Sequence, residues 1–264
     1  MSFFEANQIS AGYGKQSIIE NISFCLKAGS LAGIIGANGS GKTTLLKALC
    51  GILPHTGLSR LDGISLEQLS PRKLAGLCSY IPQRSGISID ISLLDVVLMG
   101  FNSRLGFLAS PTAAMKAAAL QALAQVGLQD KAETNYLHLS EGQKQLCIFA
   151  RTLASESKLL LLDEPESALD FRFRHEMLAQ LKNYVAEKNR AAIVALHDPM
   201  LALNNCDQLL LMEKGALCGI LHPKADPPEK MERMLSRIYG PVSLQKCINR
   251  KGQAYLVMLN EEES

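Results

Sequence analysis

GANGSGKT, Gly36 to Thr43, is the stretch on which the reading of the whole chain turns. Before it stands LAGIIG (31–36), short and apolar enough for a buried strand. After it comes TLLKALCGIL (44–53), apolar at helical spacing. Strand, glycine loop and helix in that order are the context a phosphate-binding loop needs, and the eight residues match that pattern at every required position. Each requirement has a cause. Gly36, Gly39 and Gly41 let the backbone curl so that successive N–H groups point inward at phosphate oxygens, with Asn38 and Ser40 between them. Lys42 reaches the β- and γ-phosphates, and the Thr43 hydroxyl is placed to coordinate Mg²⁺.

A phosphate site of this kind needs a carboxylate for the metal and a group that handles water. LLLLDEP (159–165) supplies both. A buried strand ending in Asp163 delivers a carboxylate to the end of a parallel sheet, where ligands of open α/β sheets bind. Glu164 is the candidate general base. An acidic pair after four leucines is, by itself, more often just a strand meeting solvent. Beside an intact phosphate loop the chemical reading prevails. His197, closing the apolar run AAIVALH (191–197), and Gln83, in YIPQ, carry little meaning as single residues. HLSEGQKQL (138–146) reads as a helix start, with Ser140 and Gln143 spaced for a capping box. A helix N-terminus also favours phosphate.

The remaining chain fits an α/β protein. Residues 3–28 alternate as antiparallel strands do, and 57–82 continue with short strands and turns, including LDG at 61–63. About 84–155 reads as a mostly helical insert. Within it SPTAAMKAAALQALAQVGL (110–128) predicts a helix capped by Ser110, with Pro111 at its first position and Leu120, Leu123 and Val126 at helical spacing. KLLLLD (158–163) and AAIVALH are strands, and the helix between them puts Leu178, Leu181 and Val185 on one face. LLLMEKGALCGIL (209–221) predicts a hairpin turning at Lys214–Gly215, HPKADPPEK (222–230) a loop, and EEES a solvated tail. Short all-apolar strands alternating with helices imply a parallel sheet buried on both faces.

Composition sets the limits. The net charge of +2 makes nucleic acid an unexpected partner. No apolar run reaches 18 residues, and MSFFEANQIS lacks the pattern of a signal peptide. The seven cysteines form no CxxC pair and are expected as reduced thiols, several of them in the core.

Taken together and in this order, the motifs resemble the ATP-binding subunit of an ABC transporter over about residues 3–220. GANGSGKT stands as the Walker A loop and LLLLDEP as the Walker B strand. Tyr13, 23 residues before Gly36, fits the aromatic that stacks on adenine. Gln83 matches the Q-loop glutamine, Ser167-Ala168-Leu169-Asp170 the D-loop, and His197 the switch histidine. LSEGQ takes the place of the LSGGQ signature, with Glu141 where glycine is usual. The resemblance implies a P-loop NTPase (RecA-like) core with an antiparallel β subdomain, assigned to 1–83 and 156–221. A helical subdomain is inserted at about 84–155, all within one ATPase domain, 1–221, and 222–264 forms a C-terminal extension. It implies ATP and Mg²⁺ as ligands, the metal held by Thr43, Gln83 and Asp163. ATP is bound by Tyr13, residues 36 and 38–44 (Thr44 included), and Ser140, Gly142, Gln143 and Asp170. Glu164, His197, Gln83 and Lys42 act in hydrolysis.

The same resemblance implies a head-to-tail pair of copies with each ATP between the Walker A loop of one and the signature helix of the other. Membrane permease subunits dock near the Q-loop, a substrate-binding protein acts indirectly, and the chain sits peripherally on the cytoplasmic face of the membrane. LDGISLEQLSPRKLAGLCSYIPQ (61–83), LLDVVLMGFNSRLGFLASPT (93–112), GQKQLCIFARTLA (142–154) and IYG (238–240) resemble the importers of iron chelates, haem and cobalamin, although Asn102 stands where arginine is usual. The alternatives are an ATPase of another ABC importer or exporter, or a soluble ABC ATPase outside transport.

Overall fold

The computed structural model describes residues 2–83, 86–106 and 109–261. A six-stranded sheet organises it. Strands β3 (Ser30–Ile35), β6 (Cys78–Ile81), β7 (Leu159–Asp163), β8 (Ala191–Ala195) and β9 (Gln208–Glu213) run parallel in the order β9-β3-β8-β7-β6, with β10 (Ala216–Leu221) antiparallel at the β9 edge. The hairpin β9–β10 turns at Lys214–Gly215 as the sequence predicts. Leu159 to Leu162 are fully buried, because helices or a second sheet cover both faces. Alternate residues divide between two cores: Leu160, Leu162, Ala192 and Val194 face one, Leu159, Leu161, Ala191 and Ile193 the other.

The second core lies under α1 (Lys42–Leu49) and an antiparallel sheet, ordered β2-β1-β4-β5, of β1 (Phe4–Tyr13), β2 (Gln16–Leu26), β4 (His55–Leu61) and β5 (Ile64–Ser65). The first core carries the helical insert. Ser92 caps α3 (Leu93–Leu98), and α4 (Ala113–Gln125) and α5 (Glu141–Ser155) pack beside it. The insert's expected start at 84 and part of its 93–112 segment (107–108) lie outside the described residues.

Several expectations are corrected. The cap of α4 is Thr112, not Ser110, because the Thr112 hydroxyl accepts the Met115 N–H at 3.2 Å and Pro111 therefore precedes the helix. Its buried face is Ala119, Ala122 and Leu123, and Leu120 turns outward. Residues 57–82 also hold a helix, α2 (Pro71–Leu77), opened by proline at its first position. The strand expected over 191–197 stops at Ala195, so His197 lies in the loop beyond it.

The loop expected at 222–230 ends early, since Pro228 starts α8 (Pro228–Tyr239), which buries Met231 and Leu235. The triplet IYG (238–240) closes that helix, and the next strand begins at Val242. A hairpin follows, β11 (Val242–Ile248) with β12 (Ala254–Asn260); all but Glu261 of the EEES tail lies outside the described residues. This hairpin is tied to α7 (Pro199–Asn205) by one side chain. Asn204 donates to the Leu256 carbonyl at 2.9 Å and accepts the Leu256 N–H at 2.8 Å.

All seven cysteines are free; Cys78, Cys147 and Cys206 are buried, while Cys25 and Cys247 are exposed. Among the described residues no helix is long and apolar enough to cross a membrane.

Candidate functional site

The C-terminal ends of four neighbouring parallel strands meet at one edge of the sheet. β3 leads into Gly36, β6 into Gln83, β7 into Glu164 and β8 into His197. That edge is where open α/β sheets bind ligands.

The loop after β3 has no room for side chains at two glycines. A Cβ at Gly36 would lie 2.2 Å from the Met212 carbonyl oxygen. Gly41 caps α1 at φ 100°, and a Cβ there would lie 2.5 Å from Ile19 Cγ2. Lys42 is buried and its Nζ donates to the carbonyls of Gly36 at 2.9 Å and Ala37 at 3.3 Å. Burial lowers its pKa, while Glu164, Asp163 and Glu166 oppose that effect. The Ser40 hydroxyl is buried within the loop with no hydrogen-bond partner. A cradle that excludes Cβ atoms, a cation and an orphaned hydroxyl together fit a phosphate chain. Tyr13, half exposed, lines the same cavity of about 330 Å³ together with Ile18, residues 38–44 and Glu164.

The acids are held individually. Asp163 Oδ1 accepts the Thr43 hydroxyl at 3.0 Å and Oδ2 accepts the Tyr80 hydroxyl at 3.1 Å. A hydroxyl and a carboxylate side by side form an oxygen set of the kind Mg²⁺ takes beside substrate phosphates. Glu164 adopts the left-handed conformation, φ 49°, which turns the chain immediately after the strand. Its carboxylate accepts Gln83 Nε2 at 2.6 Å on one oxygen and meets His197 Nε2 at 2.9 Å on the other. Residues 83, 164 and 197, scattered in sequence, thus converge on one carboxylate.

The start of α5 stands apart from this cavity, and none of residues 140–143 lines it. Ser140 and Gln143 form the expected capping box, at 3.3 and 3.2 Å. Glu141, largely exposed, pairs with Lys144 at 2.8 Å. A Cβ at Gly142 would lie 3.2 Å from the Ala168 carbonyl, so this helix start abuts the loop that follows Glu164. Asp170 caps α6 (Phe171–Glu187), accepting the Phe173 N–H at 3.0 Å.

Two residues of the site escape the sequence reading. Tyr80 sits one alternation before Pro82 on a strand whose partner cannot be read locally. Glu166, 3% exposed, is an acid in a loop that composition alone assigns to solvent. Its Oε1 accepts the His197 N–H at 3.2 Å, and its Oε2 has no partner.

Comparison with known proteins agrees with this geometry. Residues 19–167 match the family described as ABC transporter. The chain is 36% identical over 247 residues to the hemin import ATP-binding protein HmuV of Bordetella pertussis, covering 89% of this chain and 91% of that one. It is 32% identical over 215 residues to a Helicobacter pylori protein named as an iron chelatin transport ATP-binding protein, covering 81% and 84%. A solved metal-chelate type ABC transporter in an inward-facing conformation superposes with a TM-score of 0.82 at 26% identity, over 99% of each chain. The chain belongs to the ABC transporter family as one of its ATP-binding members.

Proposed function

We propose that this chain is the ATP-hydrolysing subunit of an importer for haem or a related iron chelate. Two copies work head to tail beneath membrane-spanning permease subunits on the cytoplasmic face, and a substrate-binding protein acts on them indirectly. The observation that carries the reading is the Glu164 carboxylate, gripped by Gln83 and His197 at the sheet edge beside Lys42 and Thr43. The cargo class rests on the names of the relatives, since the cargo itself does not meet this subunit.

The residues divide the chemistry. Tyr13 offers a face to adenine. The loop N–H groups and Lys42 hold the phosphates, with Lys42 exchanging its carbonyl partners for the γ-phosphate. Thr43, Asp163 and Gln83 would hold Mg²⁺, which supplies charge neutralisation for the phosphates. Glu164 accepts a proton from the attacking water, and Gln83 and His197 fix its two oxygens so that it faces that water. Ser140 and the Gly142 N–H lie off the cavity of their own chain, so they serve a nucleotide on a second copy. ATP bridging both surfaces favours the closed pair, and hydrolysis removes the bridge.

The test is Glu164→Gln examined by light scattering. With Mg-ATP it should hold the nucleotide and run at roughly twice the 28.7 kDa of one copy, with turnover reduced by about 10²-fold or more. Near-normal turnover with no nucleotide-dependent doubling would refute the assignment. For the cargo, ATPase activity of the complex reconstituted with its permease should rise when a binding protein loaded with haem or an iron chelate is added. Indifference to both ligands would remove that substrate class.

A further inference from the structure

The base at 164 is not the only acid aimed at the histidine loop. We propose that Glu166 is a positioning residue for hydrolysis, its buried carboxyl fixing the main chain of His197 so that the imidazole reaches Glu164. This rests on the role of Glu164 proposed above.

The two glutamates bracket one residue. Glu164 Oε1 takes the imidazole Nε2 of His197 at 2.9 Å, and Glu166 Oε1 takes its backbone N–H at 3.2 Å. The same turn ties forward as well. The Glu166 carbonyl accepts the Leu169 N–H at 3.0 Å, one residue before the Asp170 cap of α6. A backbone N–H in the loop beyond a strand could be satisfied by water or a serine. A carboxyl that is 3% exposed and leaves Oε2 without a partner is a costly way to do it. Such cost is commonly retained where geometry must be exact.

The groups facing Glu166 come from every element around it. Glu164 precedes it on the same loop, Arg174 lies on α6, Lys42 on the phosphate loop, and the Cys206 thiol at the end of α7. Burial raises the Glu166 carboxyl to about 7, Glu164 adds to the rise, and the backbone N–H bonds and Arg174 oppose it. Near neutral pH the carboxyl therefore exchanges its proton, and its ionised form holds the His197 N–H more strongly than the neutral acid does. Glu166 does not line the nucleotide cavity. Its loss should accordingly disturb turnover and spare ATP affinity.

The experiment uses the full chain with Mg-ATP. Turnover and the affinity for a fluorescent ATP analogue are measured for wild type, Glu166→Ala, Glu166→Gln and Glu164→Gln between about pH 6 and pH 9. Glu166→Ala should lower kcat about tenfold and change affinity less than about twofold, since a small misplacement of a reacting group costs rate. Glu166→Gln keeps the acceptor oxygen and the shape, so it should recover most of kcat. A step in the wild-type profile near neutral pH should vanish in it, which a purely structural role would not produce. The proposal is overturned if Glu166→Ala keeps kcat within about twofold, or loses affinity and turnover in parallel. It is also overturned if Glu166→Gln behaves like Glu166→Ala with the step unchanged. Full activity in Glu164→Gln would instead overturn the base assignment, and with it the route through which Glu166 acts. Glu166→Gln also serves as the folded control if the alanine variant does not fold.

Discussion

Replacing Glu166 with glutamine should stabilise this protein, and the gain should grow with pH. A buried acid whose folded pKa lies near 7 rather than the ordinary 4.5 keeps its proton through a window in which the unfolded chain has lost it. Across that window the folded state binds more protons than the unfolded one, so stability falls as pH rises. The deficit begins near 4.5 and is complete above about 7. At about 1.4 kcal/mol per pH unit its full size is about 3 kcal/mol, with about 1 kcal/mol already present at about pH 5.5. Glutamine has nearly the shape of the protonated acid, also leaves one polar atom unpartnered, and never ionises. Its advantage should therefore increase by about 2 kcal/mol between about pH 5.5 and pH 8.5. At this chain length that is a difference of about 4–8 °C in Tm. Urea titrations of both proteins at the two pH values, with equal m-values, measure it directly. A pH-independent difference, or a loss of stability in the glutamine variant at the higher pH, would refute the reasoning.

Lys42→Ala removes the cation from the phosphate cradle, so ATP affinity by calorimetry should fall roughly ten- to a hundredfold, as expected for a lost hydrogen bond to a charged group. Leu161→Ala opens a cavity in the central sheet, where the side chain is fully buried, and should cost about 2–5 kcal/mol in urea unfolding.

The legibility of the site in the sequence follows from how local each requirement is. GANGSGKT could be read because a phosphate cradle is built from consecutive backbone groups. The capping box at Ser140 and Gln143 is local in the same way, as are the buried strand LLLLD and the turn at Lys214–Gly215. The grip on Glu164 could not be derived from residue types. Gln83 and His197 are joined to it only by the strand order β6-β7-β8, and nothing within a strand names its neighbour. There the family resemblance supplied what local chemistry could not. Glu166 was missed because an acid in a loop reads as solvated. It is buried because the turn after Glu164, at φ 49°, folds it back against the His197 loop. Thr112 takes the place of Ser110 as the cap because both carry a hydroxyl within two residues, and it is the Thr112 hydroxyl that meets the Met115 N–H.

The side chain of Asn204 has a consequence for how motion can be watched. An amide that donates to and accepts from the same residue, Leu256, imitates the backbone of a missing strand. It welds a helix that begins two residues after His197 to a hairpin near the C-terminus. Tilting α7 without the hairpin would break both bonds, at about 1 kcal/mol each. The hairpin is held by α7 through Asn204 and by α8 through Glu232, whose carboxylate accepts the Leu244 N–H at 2.7 Å, so its free end follows both helices at once. Nature has left a handle there: Cys247 is exposed on β11. With Cys25→Ser removing the other exposed thiol, a dye on Cys247 would report movement of α7 and α8 without touching the nucleotide site.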